Sequence, residues 1–131
     1  DKSCFVSFYQ HIRRFRIYGK DGELKRDVIL DILPGQERPA VDDYLRFIHP
    51  IRVYATDSYI YTLNLDMTTE EIENRKTTPN IQVFDWEGKP LTQYKLDCFI
   101  NTFVVDEVAN KIYGAFVEDE DHIYVFNLPR L

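Results

Sequence analysis

"VFDWEGKPLTQYKLD", residues 83–97, reads as one β-hairpin, and "IYGKDGELKRDVILD", residues 17–31, reads as the same hairpin met earlier in the chain. Each opens on an apolar pair, turns on an acid-Gly step and closes on Leu-Asp. Gly22 and Gly88 stand where a short hairpin loop needs positive φ, which only glycine adopts without steric cost. A hairpin that occurs twice in 131 residues points to a repeated unit.

Working outward, the chain divides into strand-like runs separated by turn residues. "CFVSFY" (4–9), "RFRIYG" (14–19) and "KRDVILDI" (25–32) form a first set. "IRVYAT" (51–56), "YIYTLNL" (59–65), "IQVFDW" (81–86) and "LTQYKLD" (91–97) form a second. "TFVVD" (102–106), "KIYGAFV" (111–117) and "HIYVFNL" (122–128) form a third. Two stretches interrupt the rhythm. Pro34, Gly35 and Pro39 exclude regular strand in residues 33–50, where Asp42 is read as the cap of a short helix over "DYLRFI" (43–48) ended by Pro50. Thr68 and Glu71 have the spacing of a capping box, which predicts a short helix over residues 69–75. The apolar runs "FVV" and "IYVF" predict strands covered on both faces, hence sheets stacked face to face.

Aligned by role, the sets superpose. Lettering the strands of a four-stranded unit A to D, the second set is A–B–C–D, the third A–B–C and the first B–C–D. Tyr61 and Tyr113 fall at matching points of strand B, and Tyr18, Phe84 and Phe126 near matching points of strand C. The opening hairpin is the C–D half of the unit. Four-stranded repeats of about 40 to 50 residues are the mark of a β-propeller blade. The expected fold is all-β: a partial β-propeller of about two and a half antiparallel blades. It forms one domain fragment over residues 1–131, with a partial blade at 1–33, a complete blade at 51–97 and a partial blade at 102–128.

The series "YIYTL", "IQVFDWEGKPLTQYKLD", "FVVDEVANKIYGAF" and "HIYVFNL" resembles the C-terminal blades of the TolB-like six-bladed β-propeller lipoproteins of the Bacteroidales. The resemblance implies an envelope or secreted location, periplasmic or outer-membrane lipoprotein, and brings no catalytic residues with it. A closed six-bladed ring needs many more strands than this sequence holds. The expected partners are therefore the remaining blades of a longer chain or a second copy, together with a protein or glycan ligand. The sequence opens at Asp1 and its only Met is Met67, which also reads as part of a longer chain.

Composition narrows the function classes. Apolar residues make up 44% and charged residues 29% of the chain, ordinary for a globular domain, and 15% are aromatic, which favours strands. The net charge of −6 argues against nucleic acid, which requires a basic footprint; the run Arg13, Arg14, Arg16 is too small to reverse it. No apolar run is long enough for a transmembrane helix. Cys4 and Cys98 lack metal-ligand spacing and read as two buried thiols acting as small apolar residues, with a disulfide as the alternative.

The candidate chemistry is sparse. His11, His49 and His122 have no nucleophile-elbow serine beside them. The acidic run "EDEDH" (118–122) lacks the glycine of a wrapped Ca²⁺ loop and reads as a solvated turn. Asp57, Asp106 and Glu107 stand at the ends of A strands, where a lactonase-like propeller hydrolase would hold a channel metal, but Asp57 and Glu107 also fit ordinary turn chemistry. Trp86 reads as packing over its own hairpin rather than stacking on a ligand. No catalytic, metal or cofactor residues are assigned. The loops say more: A–B and C–D turns are short, whereas the D–A link 33–50 and the B–C loop 66–80 are long and share one face. Binding residues concentrate on such loops, so the candidate ligand-binding residues are His11, Arg13, Arg38, Asp43, Arg46, His49, Glu70 and Glu73. The expected role is a non-catalytic binding or scaffolding module, the alternative a six-bladed lactonase-like hydrolase with a metal in its central channel.

Overall fold

The structure, a computed structural model, describes residues 3–30, 47–74 and 78–128. The strands are β1 (Cys4–Tyr9), β2 (Arg14–Gly19), β3 (Leu24–Ile29), β4 (Phe47–Ala55), β5 (Ile60–Thr68), β6 (Asn80–Phe84), β7 (Pro90–Lys95), β8 (Thr102–Asp106), β9 (Lys111–Phe116) and β10 (Asp119–Asn127). One short helix, α1 (Thr69–Asn74), follows β5. Among the described residues every pairing is antiparallel, in three sheets ordered β1-β2-β3, β4-β5-β6-β7 and β10-β9-β8. The fold is all-β, with sheets of the size and order of a partial propeller.

The two hairpins close in the same way. Gly22 and Gly88 have φ of 84° and 82°. Gly19 N–H donates to Glu23 O at 2.9 Å and Gly22 N–H to Gly19 O at 3.0 Å; Asp85 N–H donates to Lys89 O at 3.0 Å and Gly88 N–H to Asp85 O at 3.1 Å. This is the three-residue hairpin loop in which a left-handed residue follows a turn, and glycine supplies that residue. The Asp21 and Asp85 carboxylates each accept the backbone N–H two residues on. The strand register slips once beyond each turn, at Ile17/Tyr18 and at Val83/Phe84.

The repeat extends to registered rows of side chains. In the second sheet Tyr54, Tyr61 and Val83 stand opposite one another on β4, β5 and β6. Val104, Tyr113 and Val125 form the same row on β8, β9 and β10, and Val6 and Ile17 form it on β1 and β2. The adjacent row, pointing to the opposite face, is Ile60–Phe84, then Ile112–Phe126, then Phe5–Tyr18. Each sheet thus has a forward and a backward face set by the two-residue period of the strand.

Those faces make two cores. Ile60 and Phe84 of the second sheet pack on Phe15 and Ile17 of the first, with the Phe15 and Phe84 rings edge to face at 4.8 Å. Tyr61, Leu63, Ile81 and Val83 point the other way and pack on Ile100, Phe103, Val105 and Ile112. β5 is therefore buried on both faces for its first six residues. Burial at this depth contributes roughly 1.5–3 kcal/mol for each large apolar side chain.

Several expectations need correction. The helix expected over 43–48 does not reach Phe47 and Ile48, which belong to β4; residues 42–46 lie outside those described. Pro50 sits within β4 rather than ending a helix, because β4 is an edge strand whose register shifts on both sides of Pro50, so its missing N–H costs no ladder bond. "FVV" and "IYVF" are not covered on both faces: Val104 is 50% and Val125 55% exposed, since among the described residues no sheet lies beyond the third. The strand that fits that description is β5. Asp119–His122 belongs to β10 rather than to a turn, with its register shifted between Asp119 and Tyr124. Cys4 and Cys98 are not joined in a disulfide; they are half-buried rather than fully buried, and border different cores. Trp86 reaches beyond its own hairpin: its indole N–H donates to Thr56 O at 3.0 Å, and its ring borders the core between the first two sheets.

Candidate functional site

The long-loop end of the second sheet carries a polar cluster inside an otherwise apolar strand. β5 ends "LNLDMT", and where β4 and β5 slip past one another at Ile48/Pro50 the backbone of Asp66 turns left-handed, with φ of 51°. Left-handed backbone is costly for a non-glycine residue and recurs where a strand bulge re-aims a side chain. The Asp66 carboxylate lies between two elements: the His49 ring N–H (Nδ1) donates to Oδ1 at 2.7 Å from β4, and Asn80 Nδ2 donates to Oδ2 at 3.0 Å from β6. Asn80 Oδ1 in turn accepts from Asn64 at 3.2 Å and from Gln93 at 2.9 Å, so the network crosses all four strands of the sheet.

Electrostatics hold this carboxylate charged. Burial by itself pushes the Asp66 pKa up, but the hydrogen bonds from His49 and Asn80 and the nearby positive charge of Arg13 outweigh it, and the pKa lies below the ordinary value of 3.8. His49 is buried and its ring stacks on Phe47 at 5.9 Å. Its backbone N–H donates to Gln10 O at 2.8 Å, which ties β4 to the β1–β2 turn. His11, from that turn, donates through Nδ1 to Phe47 O at 3.0 Å. A cavity of about 380 Å³ opens beside the cluster, lined by Leu65, Asp66, Thr78, Asn80, Gln93, Tyr94 and Lys95.

The structure thus brings His11, Arg13 and His49 to one place, around an aspartate not foreseen from the sequence. Glu70 and Glu73 are exposed on α1, and Glu73 borders a different cleft, of about 490 Å³, together with Ile48, Ile72, Phe99 and Phe116. Arg38, Asp43 and Arg46 lie outside the described residues. Asp66, Asn64, Asn80 and Gln93 were missed. Their signal was available: Asn64 and Asp66 are two polar residues at alternate positions of an apolar strand, facing Asn80 across the pairing.

The acids considered for a channel metal are otherwise engaged. Glu107 accepts from the Tyr61 hydroxyl and from Thr56 Oγ1, both at 2.8 Å, and so bridges the third sheet to the second rather than acting within its own turn. Burial first, then the Glu107 carboxylate, push the Tyr61 pKa far above its ordinary value. Asp106 accepts the Ala109 backbone N–H within its own turn. Among the described residues no three His, Cys, Asp or Glu side chains lie close enough to share an ion, and no helix is long and apolar enough to cross a membrane.

Residues 50–108 match the family model described as TolB-like 6-blade propeller-like. No curated protein and no solved structure matches the chain.

Proposed function

With a propeller-type module, TolB-like over residues 50–108, as the premise, we propose that this chain is a non-catalytic binding module of a cell-envelope propeller protein. In this reading the three sheets are a B–C–D, a complete and an A–B–C blade. Its ligand is a glycan segment, taken at the long-loop end of the second sheet. The observation that carries the reading is Asp66: a charged, strained, half-buried residue held by His49 and Asn80 at the mouth of a cavity. Backbone strain at a polar cluster is retained where a site needs a side chain aimed in one direction.

The lining chemistry favours a polyhydroxylated ligand. Amides of Asn80 and Gln93, the Asp66 carboxylate and the Tyr94 ring supply acceptors, donors and a flat surface in one cavity, the mixture that fixes a sugar's orientation. His49 supports the cluster from β4, and His11 and Arg13 support it from the β1–β2 turn of the first sheet. Arg38, Asp43 and Arg46 remain proposed ligand-binding residues. An envelope location, as a lipoprotein or a periplasmic protein, belongs to the same reading and rests on the family resemblance.

Calorimetric titration with a panel of soluble oligosaccharides and extended peptides tests the proposal. Saturable binding of an oligosaccharide that Asn80→Ala and Gln93→Ala each weaken by about tenfold, roughly one lost hydrogen bond, supports it. Binding confined to peptides, or binding indifferent to both substitutions, removes the assignment.

A further inference from the structure

The cleft beside α1 has one wall from the second sheet and one from the third. β5 and β7 both pair antiparallel with β6, so the links that follow them leave the second sheet at the same end, where β4 begins. α1 follows β5 there and brings Ile72 and Glu73 to the cleft that Ile48 and Ile51 of β4 also line. The other wall is Phe99 and Asn101, from the link after β7, with Phe116 at the end of β9 and Glu118 just beyond it. The volume, about 490 Å³, is that of a ligand pocket. The described lining runs from Ile48 to Glu118, so the cleft belongs to the junction of the second and third sheets and to neither outer face of the stack.

Its interior is apolar and its mouth is acidic. Ile48, Ile51, Ile72, Phe99 and Phe116 are each only half-buried, whereas Glu73 and Glu118 are exposed. The Phe99 and Phe116 rings meet edge to face at 5.2 Å. Bulky apolar side chains left partly open in one concave surface, rather than scattered singly, mark a binding groove. Among the described residues no Lys or Arg lines it. α1 carries Glu70 and Glu71 besides Glu73, and Glu120 and Asp121 follow Glu118, so the field at the mouth is negative from both walls. Glu118 already engages another group, which leaves Glu73 as the main carboxylate for a ligand.

We propose that this cleft docks a segment of a partner protein in which a bulky apolar residue stands beside an arginine. The apolar side chain enters between Ile72 and the Phe99–Phe116 pair, and the guanidinium reaches Glu73 at the mouth. Charge complementarity decides the class of occupant. An acidic segment would meet like charge on both walls, and a neutral apolar one would draw water from the carboxylates without replacing it. Arginine suits the site better than lysine, because its planar, weakly hydrated head pairs with a carboxylate through two hydrogen bonds and is also attracted to aromatic ring faces. Asn101 offers its amide to the backbone of the segment. The glycan reading has no part in this inference, since Asp66, Asn80 and Gln93 line the other cavity.

Fluorescence anisotropy of a dye-labelled, end-blocked peptide Gly-Arg-Phe-Arg-Gly tests it, beside the same peptide with citrulline for arginine and the same peptide with alanine for phenylalanine. Citrulline keeps the shape of arginine and removes its charge. The arginine peptide is expected to saturate the protein, and each control peptide to bind about tenfold more weakly, the worth of one charged or one aromatic anchor. Glu73→Gln and Ile72→Ser should each weaken the arginine peptide by about fivefold, the worth of one partly exposed ion pair or apolar contact. Neither side chain is buried, so both variants should keep the melting transition of the parent. An arginine peptide that does not saturate overturns the inference, including the case in which Arg75 and Lys76, next in sequence after α1, already take the carboxylates. Equal binding of the citrulline peptide overturns it as well, and so does binding indifferent to both substitutions.

Discussion

At Asp66 local strain and long-range bonding meet in one residue. Its left-handed φ of 51° is what glycine would relieve, and its carboxylate is what glycine would remove. Asp66→Ala keeps the strain and loses the bonds, whereas Asp66→Gly loses both. Asp66→Gly should therefore be the more stable variant by about 1 kcal/mol in chemical denaturation; equal stabilities would mean the backbone stores no strain. The charge makes a second expectation. The folded pKa of Asp66 lies below 3.8, so the unfolded chain takes up the proton first. Its contribution is present above that value and is lost as pH falls below it toward the folded pKa. Asp66→Asn should flatten the stability profile below pH 4 and leave its slope above pH 5 unchanged, as denaturation midpoints across that range will read. Gly22 and Gly88 provide a paired control of a different kind. Both have positive φ, but a Cβ on Gly22 meets nothing within 4 Å, whereas one on Gly88 comes within 2.4 Å of Val28. Gly22→Ala should cost about 1–2 kcal/mol for left-handed backbone alone. Gly88→Ala should cost about 1–3 kcal/mol more for the clash with the first sheet, and thermal melts of the two variants measure the difference.

Among the elements, the turns do more than reverse the chain. The β8–β9 turn sends Glu107 into the second sheet, where Tyr61 and Thr56 both donate to one oxygen, and the β6–β7 turn sends Trp86 to the carbonyl of the same Thr56. Three turns from two sheets thus converge on one short-turn end. A double-mutant cycle of Tyr61→Phe and Glu107→Gln should give a coupling of about 1–2 kcal/mol, as a hydrogen bond to a half-buried charge requires. Additive effects would show that Tyr61 acts through its ring alone. The Arg26–Glu87 ion pair at 2.5 Å also joins two sheets at this end, but both side chains are well exposed, so its removal should leave the melting temperature unchanged.

Across the whole molecule, the stack is unequally bonded. Among the described residues the core between the second and third sheets contains ten buried residues, and that between the first and second contains four. Burial sets the free energy of local opening. In native-state hydrogen exchange the amides of β1–β3 should therefore exchange through a lower-energy opening than those of β5 and β9, and a single common opening energy would contradict this. The unequal ends also explain which parts of the fold were legible beforehand. Strand order, the duplicated turn and the repeating rows depend on period-two alternation and glycine placement, which are local properties that one strand and its turn display by themselves. The capping box was legible for the same reason, since Thr68 accepts the Glu71 N–H within a single turn, at 3.2 Å.

What the sequence by itself determined is the all-β architecture, its repeating unit and the two glycine turns, because each follows from residues adjacent in the chain. Only the tertiary structure decided which apolar strands are covered. "FVV" and β5 read alike as strings, yet one has a neighbouring sheet on a single side and the other on both. Only it placed Pro50 in an edge strand, since edge position is a fact about pairing and not about proline. Only it found the Asp66 cluster, because a register slip between β4 and β5 aims that carboxylate, and no single strand encodes a slip. His49, Asp66 and Asn80 belong to three strands, and their meeting is fixed by pairing register, a long-range property that no local pattern carries.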